Sequence, residues 1–250
     1  LISIDRIQCD LAINSKKKIQ ALKITEIPNQ TDLDAVLEDS SEAVSLKRRL
    51  SSLSKSKGIT VAFESVVTHE LSNTINELSS QSSCEWLVMG WDGRSHSGIL
   101  VSNPIGWLLA NINSNLALFK DNGVRHVGKV LLALRPGRKD RNFIEIAQRV
   151  CSFYGASLTL LHVVPEKTTN KNIFAMEEKS SSKLEQSKAE VVIVKSDDPV
   201  ETISEISAGY DLLILGAPEK DNWINVLFGG GKDKFTEKSA CSVLRLTVKD

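Results

Sequence analysis

Apolar positions along this chain gather into short β-branched and aliphatic runs, and the stretches between them space their apolar residues as one face of a helix does. The runs are Ala21–Ile27, Ile59–Val67, Cys84–Gly90, Asn115–Phe119, Lys129–Leu134, Ser157–Val164, Glu190–Val194, Asp211–Gly216 and Cys241–Val248. Between them, Asp32–Leu53 carries Leu33, Val36, Leu37, Val44 and Leu50 at near-helical spacing. The stretches His69–Leu78, Asn142–Tyr154, Ile173–Gln186 and Pro199–Ser207 behave alike. Strands that alternate with helical crossovers predict an α/β fold, a mainly parallel sheet with helices on both faces.

The order of elements occurs twice. Leu22-Lys23-Ile24-Thr25-Glu26-Ile27-Pro28 answers to Thr159-Leu160-Leu161-His162-Val163-Val164-Pro165, each a strand closed by proline. Ile59–Phe63 answers to Glu190–Val194, and Glu85–Gly90 to Asp211–Gly216. Each copy continues through a Gly-rich loop and a short helix into a last strand, Asn115–Lys120 or Cys241–Thr247. Two copies of one unit are expected, 1–122 and 123–250, divided at Asp121–Val127, where Asp121-Asn122-Gly123 is a turn signal. Leu1–Lys18 is too short for a full strand and helix, so Leu1–Asp5 is either the tail of a first strand or all that follows one cut away.

Composition narrows the function classes. Thirty-one Lys and Arg balance 31 Asp and Glu in 250 residues, so the chain as a whole has no excess positive potential for nucleic acid or anionic lipid. Its 41% hydrophobic content is that of a folded globular chain. Cys9, Cys84, Cys151 and Cys241 lie far apart with no histidine at ligand spacing, which argues against zinc and for small buried hydrophobes in a reducing compartment. No apolar run reaches the roughly 20 residues of a membrane span. The start at Leu1, without a signal-peptide pattern, is expected of a piece of a longer polypeptide.

The second half, with Val130–Leu134, then A-Q-R-V-C-S-F-Y-G-A-S-L-T-L-L at Ala147–Leu161, then His162–Pro165 and Asp211–Gly216, resembles the universal stress protein family. The paired arrangement, with G-W-D-G-R at Gly90–Arg94, looks more like the cytoplasmic C-terminal region of prokaryotic secondary transporters. Those are amino-acid permeases and cation-chloride cotransporters of the amino acid–polyamine–organocation superfamily. The resemblance implies a tandem of stress-protein-like units. It also implies where a nucleotide would sit: a Gly, two residues, Gly, nine residues, Gly, Ser/Thr loop, and an Asp ending the first strand to meet the ribose. Such loops need glycine because backbone N–H groups must approach phosphate oxygens unobstructed. Here Gly90 and Gly93 match, but Asn103 and Pro104 stand where Gly and Ser/Thr belong. In the second copy Gly216 matches, Glu219 replaces a glycine, and Gly229 is followed by Gly230. Arg135 occupies the Asp position, which Asp5 would fill in the first copy only if Leu1–Asp5 is the first strand. Gly90 and Gly93 are thus the remaining cofactor-binding candidates in a degenerate loop, and no bound cofactor is expected.

Catalytic patterns are missing from the sequence. His69, His96, His126 and His162 are isolated, His162 reads as a satisfied core or interface residue, and no G-x-S-x-G elbow occurs. Gly229-Gly230-Gly231-Lys232 lacks the spacing of a Walker loop and reads as a flexible loop. Arg94 and His96 after the Gly90 strand are candidates to contact an anion, against the plainer reading of a polar connection. The Ser/Lys-rich stretches Ser51–Lys57 and Lys179–Lys188 read as solvated helix ends, with a regulatory or phosphorylation role as the lesser alternative. Bulky apolar residues precede each last strand, Trp107, Leu108 and Leu109 in one copy and Trp223, Ile224, Val226, Leu227 and Phe228 in the other. The second cluster is the expected interface of a two-fold homodimer. The expected function is a non-catalytic cytoplasmic regulatory and dimerisation domain of a membrane transporter, joined to its membrane part in one polypeptide. The alternative is a free-standing tandem universal stress protein that binds ATP.

Overall fold

In the computed structural model, residues 19–32, 41–58, 60–81, 84–90, 111–135, 140–184, 189–216 and 233–248 are described. The first half runs β1 (Ile19–Glu26), α1 (Ser41–Lys57), β2 (Val61–Thr68), α2 (Leu71–Gln81), β3 (Trp86–Gly90) and β4 (Asn115–Lys120). The second runs β5 (Lys129–Ala133), α3 (Asp140–Tyr154), β6 (Ser157–Val164), α4 (Asn170–Lys183), β7 (Ala189–Lys195), α5 (Pro199–Ser207), β8 (Leu212–Gly216), α6 (Lys234–Lys238) and β9 (Ser242–Thr247).

Most strands fall on the expected runs, because a strand buried on both faces is written as a continuous aliphatic stretch. Some helix starts differ. The fourth helix begins at Asn170 and not at Ile173 because Thr169 caps it, its hydroxyl accepting from Asn172 N at 3.4 Å. The first helix is described from Ser41, while 33–40, part of its expected range, lies outside the described residues.

Seven strands form one sheet in the order β3-β4-β9-β8-β5-β6-β7, and β1 and β2 form a parallel pair. Every neighbouring pair is parallel except β4 and β9, which run antiparallel. The second half therefore reads β7-β6-β5-β8-β9, with its first strand in the middle. The first half repeats that plan as β2-β1 and β3-β4. The place that matches β5 would fall between β1 and β3, and Leu1–Asp5, expected near it, lies outside the described residues.

Register carries one apolar row across the sheet. Phe119 faces Leu244, Leu244 faces Ile214, Ile214 faces Leu132, Leu132 faces Leu160 and Leu160 faces Val191. The first five are buried and pack with Phe143, Ile144, Ala147 and Val150 of α3 in one cluster. The opposite face sets Leu131, Leu213 and Val243 against Ile203 of α5 and Phe235 of α6. Side chains alternate across the pleat, so each helical layer receives every second residue. A smaller cluster around Ile75 and Ile112 joins Ile24 of β1 to Leu87 and Met89 of β3.

The connection between the halves is held as well as turned. Asp121 Oδ1 accepts from Gly123 N at 2.8 Å, and Gly123 adopts φ +87°, which a side chain would oppose. Asn122 donates from Nδ2 to Cys241 O at 2.8 Å and from its backbone N to Ser242 Oγ at 3.0 Å, while Lys120 Nζ reaches Thr236 O at 2.8 Å. Leu244 sits in the middle of the shared row with no exposed surface. Leu244→Ala is expected to cost about 2–5 kcal/mol, the range for a buried Leu whose surroundings relax only in part. Urea unfolding followed by circular dichroism checks this; a loss under 1 kcal/mol by that measure would mean the row is not a common core.

Candidate functional site

From β5 the chain turns through α3 to β6, and from β8 it turns the other way through α6 to β9. Loops leaving the carboxyl ends of two such neighbouring strands diverge and open a crevice, the usual ligand position in a doubly wound sheet. One wall of it is Leu134 and Arg135, the other Gly216; the loop residues 136–139 and 217–232 lie outside the described residues. Beside it, over the ends of β5, β6 and β7, is a cavity of about 600 Å³ bordered by Arg135, Pro165, Thr168, Asn172, Asp197 and Pro199.

A carboxylate, Asp197, and a cation, Arg135, border that cavity. Asp197 Oδ1 accepts from Glu166 N at 3.2 Å, and Asp198 caps α5 by accepting from Val200 N and Glu201 N, both at 3.1 Å. Asp197 thus ties the segment after β7 to the one after β6, while Asp198 is engaged by the helix start that follows it. The side chain at the end of β5 is the exposed cation Arg135, a donor without acceptor capacity. Gly216, the glycine that opens the degenerate loop, has a packing reason to be there: a Cβ would come within 3.2 Å of the Phe143 ring on α3. Of the first-copy candidates, Gly90 is the exposed last residue of β3, and Gly93 lies outside the described residues, as do Arg94, His96, Asn103 and Pro104. Glu219, Gly229 and the expected interface residues Trp223, Ile224, Val226, Leu227 and Phe228 lie outside them too. Among the described residues no group of three or more His, Cys, Asp or Glu side chains is arranged to hold a metal ion.

One charged pair at the crevice floor was not legible in the sequence. Arg245 of β9 is 3% exposed and Asp233 is fully buried, with Nε and Oδ2 3.1 Å apart. Arg245 Nη1 lies 3.4 Å from Gly216 O, and its guanidinium sits 5.7 Å from the centre of the Phe235 ring. Asp233 in turn caps α6, accepting from Phe235 N at 3.1 Å and from Thr236 Oγ1 at 2.8 Å. Arg245 Nε is too poorly aligned to form a hydrogen bond, and Nη2 has no partner among the described residues, so the attraction is ionic more than directional. Burial lowers the pKa of Arg245 and Asp233 opposes that shift. The signal in the sequence was an arginine inside the apolar run S-V-L-R-L-T.

His162 is a strut and not a base. It is buried on β6, with Nδ1 at 2.9 Å from Leu134 O, to which it donates, and Nε2 at 3.0 Å from Ser180 Oγ, from which it accepts. Burial pushes its pKa below the usual histidine value, against the Leu134 carbonyl, so the ring is held neutral. Two of the cysteines, Cys151 and Cys241, behave as buried hydrophobes, with burial pushing their thiols up to about 12 and about 11. Cys84 is half-buried and also raised, chiefly by burial, and Cys9 lies outside the described residues.

No protein-family model matches this chain, and no curated protein matches it in sequence. Among solved structures it is similar to a universal stress protein from Archaeoglobus fulgidus DSM 4304, at 17% identity and TM-score 0.68 over 100% of this chain and 94% of that one. It is similar to the cytoplasmic domain of a prokaryotic cation chloride cotransporter at 11% identity and TM-score 0.61, over 99% of this chain and 93% of that one. A functionally unknown protein from Pseudomonas aeruginosa PAO1 matches at 14% identity and TM-score 0.61, over 98% and 87% of the two chains. The fold is that of universal stress proteins.

Two outcomes are expected from the buried groups. Asp233→Ala leaves Arg245 buried and uncompensated and should cost about 3–5 kcal/mol, whereas Asp233→Ala with Arg245→Met should recover most of the loss. Urea midpoints of the four combinations measure this, and additive effects would show that the two residues do not act as a pair. His162 has a depressed folded pKa, so the unfolded chain binds its proton first, below about 6.5. Its share of stability is therefore complete above that pH and is lost as the pH falls through 6.5. The urea midpoint should decline more steeply between about pH 6.5 and 5 in the parent than in His162→Gln; equal slopes would contradict the assignment.

Proposed function

We propose that this chain is a non-catalytic regulatory domain of a membrane secondary transporter, of the cation-chloride cotransporter or amino-acid permease kind, and that it acts on the cytoplasmic side as a homodimer. The observation that carries the reading is the crevice of the second unit. It keeps the fold of a nucleotide-binding stress protein but presents Arg135 at the ribose position, and its Gly216 answers to Phe143. A domain with that fold and without that chemistry acts through association. The whole-length likeness to a cotransporter's cytoplasmic domain supports the transporter context. No helix among the described residues is long and apolar enough to cross a membrane, so the membrane part would be sought elsewhere in the parent polypeptide. The cluster Trp223, Ile224, Val226, Leu227 and Phe228 is the proposed contact between copies.

The second reading, a free-standing tandem universal stress protein that binds ATP, is favoured by the higher structural similarity to the Archaeoglobus fulgidus protein. Antibody raised against this domain separates the two in fractionated source cells. The proposal expects the signal in the membrane fraction at a mass well above 27.5 kDa; a freely sedimenting species near that mass would overturn it. Calorimetric titration of the domain with ATP and Mg²⁺ is expected to show no binding in the low micromolar range, and such binding would favour the second reading.

A further inference from the structure

We propose that the outer face of α1 docks this domain on an anionic lipid bilayer. The balanced total charge conceals a local imbalance. From Ala43 to Lys57 the helix holds five basic residues and no acidic one, and its single acid, Glu42, is paired with Lys23 at 3.0 Å. Ala43 and Leu50 are buried toward the sheet while Leu46 and Leu53 are half-buried, which turns Lys47, Arg48, Ser51, Ser52 and Lys55 outward together. All five of those residues are exposed. Lys47 and Lys55 are eight residues apart, so the cations spread over about 12 Å of helix. Lys47, Arg48, Arg49 and Lys55 have no carboxylate partner among the described residues, and they follow one another on one helix without an intervening acid.

The fold does not require this charge. The helix α4 occupies the same place in the second unit and carries Glu177 and Glu178 among its lysines, with Lys183 paired to Asp140 at 3.1 Å. The outer face of α1 therefore presents a row of cations to a partner that supplies the negative charge. A shallow groove of about 580 Å³ runs along it, bordered by Lys47, Arg48, Ser51, Ser52 and Lys55. Such a surface suits an array of phosphate headgroups. It offers no aromatic side chain on which a base could stack, as single-stranded nucleic acid sites commonly do. The inference deepens the transporter reading, on which it rests for a bilayer close at hand, by naming the side of the domain that faces it.

Sedimentation with vesicles tests the proposal on the whole chain, using phosphatidylcholine alone or mixed with phosphatidylglycerol. At about fivefold per basic residue near an anionic surface, four such residues favour anionic over neutral vesicles by about 600-fold. Binding is expected only to the anionic vesicles and is expected to vanish as salt rises to about 1 M, where the screening length falls to ~3 Å. Lys47→Glu with Arg48→Glu and Lys55→Glu should lower it by about a hundredfold or more. Lys171→Glu with Lys179→Glu on α4 should leave it unchanged. If the triple charge reversal does not fold, as circular dichroism would show, the same three positions changed to Gln serve instead. Binding to neutral vesicles as strong as to anionic ones, or no binding at low salt, overturns the proposal. So does retention on double-stranded DNA or RNA in preference to vesicles. Anionic binding by a chain that the antibody finds as a free 27.5 kDa protein would leave this surface standing and remove the transporter reading.

Discussion

The antiparallel pairing of β4 with β9 is the constraint on which the rest of the molecule depends. Each half ends in a strand with one open edge, and an unpaired edge is a row of unsatisfied donors and acceptors. Joining the two edges makes the sheet continuous from β3 to β7 and puts Phe119 into the row that runs through Leu244, Ile214 and Leu132. The α3 helix then packs on residues drawn from both halves. Hydrogen bonds from Lys120 and Asn122 to the α6–β9 segment fix the linker on the same seam. Sheet, core and linker thus depend on one shared contact.

Two buried polar side chains, Arg245 and His162, reach the chain at the carboxyl ends of β8 and β5, where regular pairing stops and loops leave the sheet. Arg245 connects the end of β8 to the cap of α6 through Asp233. His162 connects the chain beyond β5 to α4 through Leu134 and Ser180. Each joins elements that the apolar row alone would leave free to tilt. Removing a charge from water is costly, so such groups stabilise only when their partners are present. In this chain they hold the frame of the crevice, at whose rim Arg135 and Asp197 are exposed.

Much of this architecture was legible in the chain because strands buried on two sides contain little but aliphatic residues. The run Ser157–Val164 coincides with β6, and the helical stretch Pro199–Ser207 coincides with α5. The weaker features were those that depend on distant partners. Asn115–Lys120 and Cys241–Thr247 were legible as the last strands of the two copies, but not that they would pair with each other. Arg245 was passed over inside an apolar run, and its partner Asp233, twelve residues back in sequence, could be found only in space. Gly216 looked like half of a phosphate loop, and its actual neighbour is an aromatic ring from a helix seventy residues earlier.

The seam between β4 and β9 also sets how the assembly responds to dilution. Two separate units joined edge to edge would come apart as their concentration fell and could exchange with other units of similar sequence. With both in one polypeptide, the second strand is presented at an effective concentration fixed by the linker, of millimolar order for short tethers. The short connection Asp121–Gly128, itself bonded to β9, keeps the partners in register. The pairing is therefore independent of how much protein the cell makes and closed to substitution by a relative.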